Sequence, residues 1–383
     1  LNQYICKPKK LYMKKKISSL FLVILFTLFG LQMHVKASEV QHVEGTHQVI
    51  EKEEKGFDAK EMIMEHISDS NEWHLWTTKS ENGEEHHVSI PLPIIIKDKE
   101  GFHFFMSSAI AHGHEHEGYT LEKGLVVSKK GLEKALFTKM VSGKQSIENS
   151  FFDFSITKNV AAIFISIFIL LLVFIGIAKS YKKSLVPSGL GKFLEPVILF
   201  IRDEVAIPNI GQTKYKKYMP YLLTVFFFIW FNNLFGLIPF APFGSNLTGN
   251  IATTAVLAII TLLITVFSAN KDYWKHIFMP PVPLLLYPIM VPIEIIGVFT
   301  KPFALMMRLF ANVTAGHIMI LAIISLIFIF KTPLLGFASV PLALFISVLE
   351  LLVAVLQAYI FTVLSALFIG IAVAEHHHEE AHH

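Results

Sequence analysis

From Val160 to Ala374 the chain consists of long apolar runs broken by short polar clusters, and the run lengths predict the elements. Val160–Ala178 is just long enough to cross a bilayer as a helix, and Lys179, Lys182 and Lys183 follow at once. Gly189–Ile207 mixes apolar positions with Lys192, Glu195, Arg202, Asp203 and Glu204, the pattern of a helix lying along a membrane surface. Met219–Pro239 and Ile251–Ala269 are two further crossings, joined by a loop, Phe240–Asn250, that carries no Lys or Arg. Leu284–Phe330 and Leu335–Ala374 then run apolar for about forty residues or more, roughly 60 Å if helical against a hydrocarbon core of about 30 Å. Helices of that length must tilt or bend, and Pro288, Pro292 and Pro302 supply bends on the first. Lys331-Thr332-Pro333-Leu334-Leu335-Gly336 reads as a turn, so the two long segments form an antiparallel helical hairpin.

The N-terminal third has a different pattern. Ser38 to about Ser150 is polar, rich in Glu, Lys and His, with short strand-like runs such as Val88–Ile96, and reads as a small, partly ordered extracytoplasmic domain. Ahead of it, Met13-Lys14-Lys15-Lys16, the apolar stretch Leu20–Leu31 and Val35-Lys36-Ala37 have the order of a signal peptide, with translation starting at Met13; an uncleaved anchor is the alternative. The only cysteine, Cys6, precedes the cleavage point, so no disulfide is expected in the mature chain. The expected divisions are 1–37 for upstream residues and signal, 38–150 for the exported domain, 151–375 for the membrane domain and 376–383 for a His-rich tail. The fold class is an all-α integral membrane protein with about five crossing helices, two of them long and tilted.

Composition agrees: 53% of residues are hydrophobic, and the net charge of +3 makes no case for nucleic acid. Lys and Arg instead gather on alternate loops, which puts the N-terminal domain outside and the C-terminus in the cytoplasm; the expected location is a bacterial inner membrane. His86-His87, His112-Gly113-His114-Glu115-His116 and the stretch Glu375–His383 could hold a metal, but no Cys or well-spaced second cluster completes a site, and solvated His-rich loops are the expectation. No metal and no cofactor are assigned.

Arg308 sits in Phe303-Ala304-Leu305-Met306-Met307-Arg308-Leu309-Phe310-Ala311-Asn312, with no acidic residue closer than Glu294. A guanidinium keeps its charge, and burying one in lipid costs at least about 2.5–3.5 kcal/mol, so its place there points to function. Folding the hairpin about Pro333 matches polar residues in depth. Arg308 lies 25 residues before it and Gln357 24 after, while His317 lies 16 before and Glu350 17 after. At 3.6 residues per turn Ala304, Ala311, Asn312 and Ala315 share a face with Arg308, and Glu294 falls near it; His317 points the other way. A small-residue stripe admits another helix closely, either one of this chain or one of a partner. His and Glu can exchange protons with water, whereas Arg cannot release its own. A fixed cation between two aqueous dead ends blocks a bare proton and favours the ionised form of a passing carboxylate.

Met307-Arg308-Leu309-Phe310-Ala311-Asn312-Val313-Thr314-Ala315-Gly316-His317, followed by Leu356-Gln357-Ala358-Tyr359-Ile360-Phe361, resembles the signature of subunit a of the F-type ATP synthase, over roughly Phe151 to Glu375. The resemblance implies that Arg308 is the stator arginine facing the acid of the c-ring, with Asn312 and Gln357 as polar neighbours. It implies that His317 and Glu350 form the relay of the extracytoplasmic half-channel and that Glu294 belongs to the cytoplasmic one. Some members exchange the acid and imidazole between the two helices; here His is on the first and Glu on the second. Implied partners are the c-ring, the peripheral-stalk b subunits, membrane lipid and, indirectly, the catalytic head. The chain has no Walker-type phosphate loop, so no catalytic site of its own is expected. The alternatives are a secondary ion or metal transporter, for which the sequence lacks the expected internal repeat, and a His-box membrane metalloenzyme, for which the His clusters fall on opposite sides of the membrane.

Overall fold

The computed structural model describes residues 63, 67–79, 85–98, 101–111, 114–122, 124–128, 151–183, 189–238, 244–280, 282–330 and 332–374. The signal segment, His112, Gly113 and the His-rich tail lie outside them.

Seven short strands lie among the described residues of the N-terminal domain. Strand β1 (Glu72–Lys79) pairs antiparallel with β2 (Glu85–Pro91). Strand β3 (Pro93–Lys97) lies between β4 (Phe102–Met106) and β7 (Phe152–Asp153), and β5 (Tyr119–Glu122) pairs with β6 (Leu125–Ser128). The run expected as one strand from Val88 to Ile96 is thus two strands, divided at Leu92. Period-two alternation places Ile94 and Ile96 in a core with Ile110, Tyr119, Val126 and Phe151.

Among the described residues five helices are long and apolar enough to cross a membrane: α1 (Lys158–Lys183), α4 (Tyr215–Leu237), α5 (Ile251–Ser268), α7 (Tyr287–Ile329) and α8 (Gly336–Val373). The chain is an all-α membrane protein with a small β domain at its N-terminal side. Asn250 starts α5 by accepting the Ala252 N–H on its side chain at 2.8 Å. Between the crossings lie α2 (Leu190–Phe200), a π-helical stretch Ile201–Ala206, α3 (Ile207–Ile210) and α6 (Lys271–Phe278). The ladder shifts register just before Pro208, which has no N–H to donate, with the Ile207 N–H reaching Arg202 O.

Helix α7 has 43 residues and α8 has 38, about 64 and 57 Å at 1.5 Å per residue. Pro292 and Pro302 lie inside α7, where each removes a single backbone bond, and the helix continues through both. Helix α4 is the centre of the bundle, with Leu222, Val225, Phe226, Phe227, Phe228 and Ile229 all buried. In its most apolar window 61% of residues are buried, against 6% for α7 and 17% for α8. The long hairpin therefore packs one side on α4 and α5, and its other side is uncovered by the described residues. The far ends of α4, α5 and α8 meet where Lys214 Nζ and Asn270 Nδ2 both donate to Val373 O, at 2.8 and 2.9 Å.

Candidate functional site

On α7 the helical period sorts side chains into two faces. Leu305, Leu309 and Gly316 are buried against the bundle, while Ala304, Arg308, Ala311, Asn312 and Ala315 are exposed. No helix among the described residues covers the small-residue stripe. Arg308 is exposed and, among the described residues, has neither a hydrogen-bond nor an ion-pair partner for its five N–H donors.

One turn on, Asn312 Nδ2 donates to Gln357 Oε1 at 2.9 Å, across the two long helices, and Gln357 is buried. The depth match about Pro333 paired Gln357 with Arg308; the bond goes to Asn312 because Arg308 projects from the uncovered face. Nearer the turn, Glu350 Oε1 lies against Gly316, so closely that a Cβ on that glycine would overlap the carboxylate. The other oxygen, Oε2, is buried without a hydrogen-bond partner. His317 is half-buried on the face opposite Arg308, with Nε2 beside Gly236 on α4. The hairpin thus brings the segment carrying His317 to Glu350, while its imidazole reaches toward α4.

Polar groups continue from there. Asn233 Nδ2 donates to Ala354 O on α8 at 3.4 Å, and Thr248 Oγ1 donates to Asn233 Oδ1 at 2.5 Å. Thr314 Oγ1 donates to Gly249 O at 3.3 Å, and Ser245 Oγ donates to Asn159 Oδ1 at 2.5 Å. Asn232 bonds within its own helix, to Phe228 O, so of the Asn232-Asn233 pair only Asn233 links helices. At the opposite end of the bundle Glu294 is half-buried on α7 and close enough to Tyr273 of α6 for its charge to raise the phenol pKa, after the larger effect of burial. Tyr273 and Lys301 line a small cleft with Thr261, Thr265 and Val298.

Chemically, the arrangement separates groups that can pass a proton from one that cannot. Glu350 and His317 lie inside the bundle along a polar track, Glu294 lies at the other end, and Arg308 stands between these two levels on the outer face. Sequence reasoning missed Gly316, Gly236, Thr248, Ser245, Asn159 and Tyr273. Gly316 and Gly236 give no signal in one sequence, since their role is to let a carboxylate and an imidazole approach the backbone, and single Ser, Thr or Tyr hydroxyls are too common to stand out. Asn159 alone could have been found, as an amide at the very start of an apolar run.

A family model described as ATP synthase A chain matches residues 160–370. A second, described as a domain of unknown function (DUF8433), matches residues 62–154. The chain is 50% identical over 245 residues to the ATP synthase subunit a of Chloroherpeton thalassium, a match covering 62% of this chain and 72% of that one. It is 48% identical over 238 residues to the ATP synthase subunit a of an Anaeromyxobacter species, covering 60% and 57% respectively. It is also 48% identical over 245 residues to the ATP synthase subunit a 2 of Chlorobaculum tepidum, covering 62% and 67%. The matched region therefore spans from 57% to 72% of the length of these relatives.

Proposed function

This chain belongs to the ATP synthase A chain family, and on that premise we propose that it is the stator subunit of the membrane sector of an F-type ATP synthase. It provides two aqueous half-channels that carry protons to and from the carboxylates of a rotating c-ring, coupling proton flow to rotation and ATP synthesis. Arg308 faces the ring. Its charge stabilises an arriving carboxylate in the ionised form and keeps protons from passing directly between the half-channels. Asn312 and Gln357 hold the polar surface beside it. His317 and Glu350 relay protons in the extracytoplasmic half-channel, and Glu294 belongs to the cytoplasmic one. The N-terminal domain then lies outside and the C-terminus in the cytoplasm, as the distribution of Lys and Arg requires. The peripheral-stalk b subunits hold the chain against the torque of the ring, and the catalytic head is an indirect partner, through the assembled complex.

The observation that carries this reading is Arg308, exposed on a small-residue face of the uncovered side of the hairpin, with no partner among the described residues. A cation in that setting needs a carboxylate from elsewhere. The deciding experiment is Arg308→Ala in the assembled complex, with ATP-driven proton pumping followed in inverted vesicles. Loss of pumping is expected; normal coupled pumping overturns the assignment.

A further inference from the structure

The exported domain is fastened to the membrane domain by polar groups where an apolar joint would have sufficed. Asp69 Oδ1 accepts the Asn159 N–H at 3.1 Å, Ser70 O accepts the Lys158 N–H at 2.8 Å, and the Asp69 carboxylate opposes the charge of the Lys158 ammonium. Lys158 and Asn159 are only 9% and 2% exposed, at the head of α1. The side chain of Asn159 accepts from Ser245 Oγ in the loop between α4 and α5. The carbonyl of the same Ser245 lies beside Gly236, as does the imidazole Nε2 of His317. Named residues thus lead from a carboxylate of the exported domain to the relay.

Burying such groups costs free energy unless each finds partners, and water is the partner that fits a narrow polar seam. At the relay end Glu350 Oε2 is buried with no hydrogen-bond partner among the described residues, and in the exported domain the same holds for Glu72 Oε1, two residues along the chain from Ser70. A carboxylate oxygen in that position takes a water molecule.

We propose that the base of the exported domain is the outer mouth of the extracytoplasmic half-channel, lined by Asp69, Lys158, Asn159 and Ser245, through which protons reach His317 and Glu350. This gives the strand domain a part in proton delivery, and it rests on the half-channel reading above. The Asp69 carboxylate keeps the Lys158 ammonium from acting as a positive barrier at the entrance, while Asn159 and Ser245 carry hydrogen bonds inward.

Cys6 is the only cysteine of the chain, which makes the test clean. In a Cys6→Ser background, Asn159→Cys and Ser245→Cys are introduced separately into the complete complex. Passive proton flow through the membrane sector is measured in the same vesicles before and after silver ion, which reaches a thiol through water. A several-fold fall in flow in both variants, with none in the Cys6→Ser parent, is expected. Comparing the same vesicles separates a blocked path from a damaged fold. Asp69→Asn should also slow the flow, because it removes the Asp69 charge that opposes the Lys158 ammonium. Glu350→Gln is run in parallel. If it slows the flow while silver leaves both cysteine variants unchanged, the half-channel stands and the proposed mouth is wrong. If Glu350→Gln has no effect either, the half-channel reading itself falls.

Discussion

Gly316 owes its importance to lacking a side chain: Glu350 Oε1 occupies the space where a Cβ would be. Gly316→Ala must push the carboxylate aside, and a several-fold loss of passive proton flow is expected. Glu350→Asp in the same chain, shorter by one methylene, should recover part of it; no recovery would mean that the alanine acts through helix packing instead. Outside the membrane, His103 of β4 is held between two carboxylates, with Nδ1 2.5 Å from Glu117 Oε2 and Nε2 3.1 Å from Asp98 Oδ2, the second off the ring N–H direction. The bond to Glu117 raises the His103 pKa above its ordinary 6.5, burial opposes the shift, and Asp98 adds to it. Because the folded value is the higher one, this contact stabilises the domain fully below pH about 6.5 and loses its effect as pH rises through the raised value. Amide exchange of β4 in the complex should therefore quicken across that interval, and His103→Gln should flatten the dependence.

Whole elements were more legible than their joints. The crossings, the long hairpin and its turn at Pro333 follow from run length and from one punctuating Pro-Gly stretch, and both strongly constrain a chain in lipid. Matching depths about Pro333 set Gln357 level with Arg308, one turn from Asn312, the residue it meets. Periodicity fixes which residues share a face but not which face a neighbour covers. The division of Val88–Ile96 at Leu92 and the π stretch Ile201–Ala206 were not legible. One depends on strand pairing with distant residues, and the other on how the turn around Pro208 meets α8. That second contact is tight: a Cβ on Gly370 of α8 would overlap Asn209 O of α3. Backbone cannot yield as a flexible side chain can, so Gly370→Ala should cost about 1–3 kcal/mol as an overpacked contact. It should appear as faster amide exchange in α3 and at the end of α8; unchanged exchange in both would show that the joint is looser than described.

At the scale of the whole molecule, the fold and Arg308 make opposite demands. The bundle is held by apolar packing around α4, and no described contact within the chain uses the guanidinium. On insertion scales an Arg at mid-membrane costs about 2.5–3.5 kcal/mol, whereas Leu is favourable by a few tenths. Taken alone, the chain should therefore insert more readily with Arg308→Leu, by about 3 kcal/mol. A residue that the fold would do better without is kept for something outside the fold. Arg308→Leu should accordingly leave the amount of chain in the membrane and the yield of assembled complex unchanged or higher, while ATP-driven proton pumping is lost. Quantitative immunoblotting of membranes beside the pumping assay separates the two effects. If the chain instead disappears from the membrane, Arg308 is a structural residue with a partner in the assembled complex, and loss of pumping in any Arg308 variant would no longer report on proton transfer.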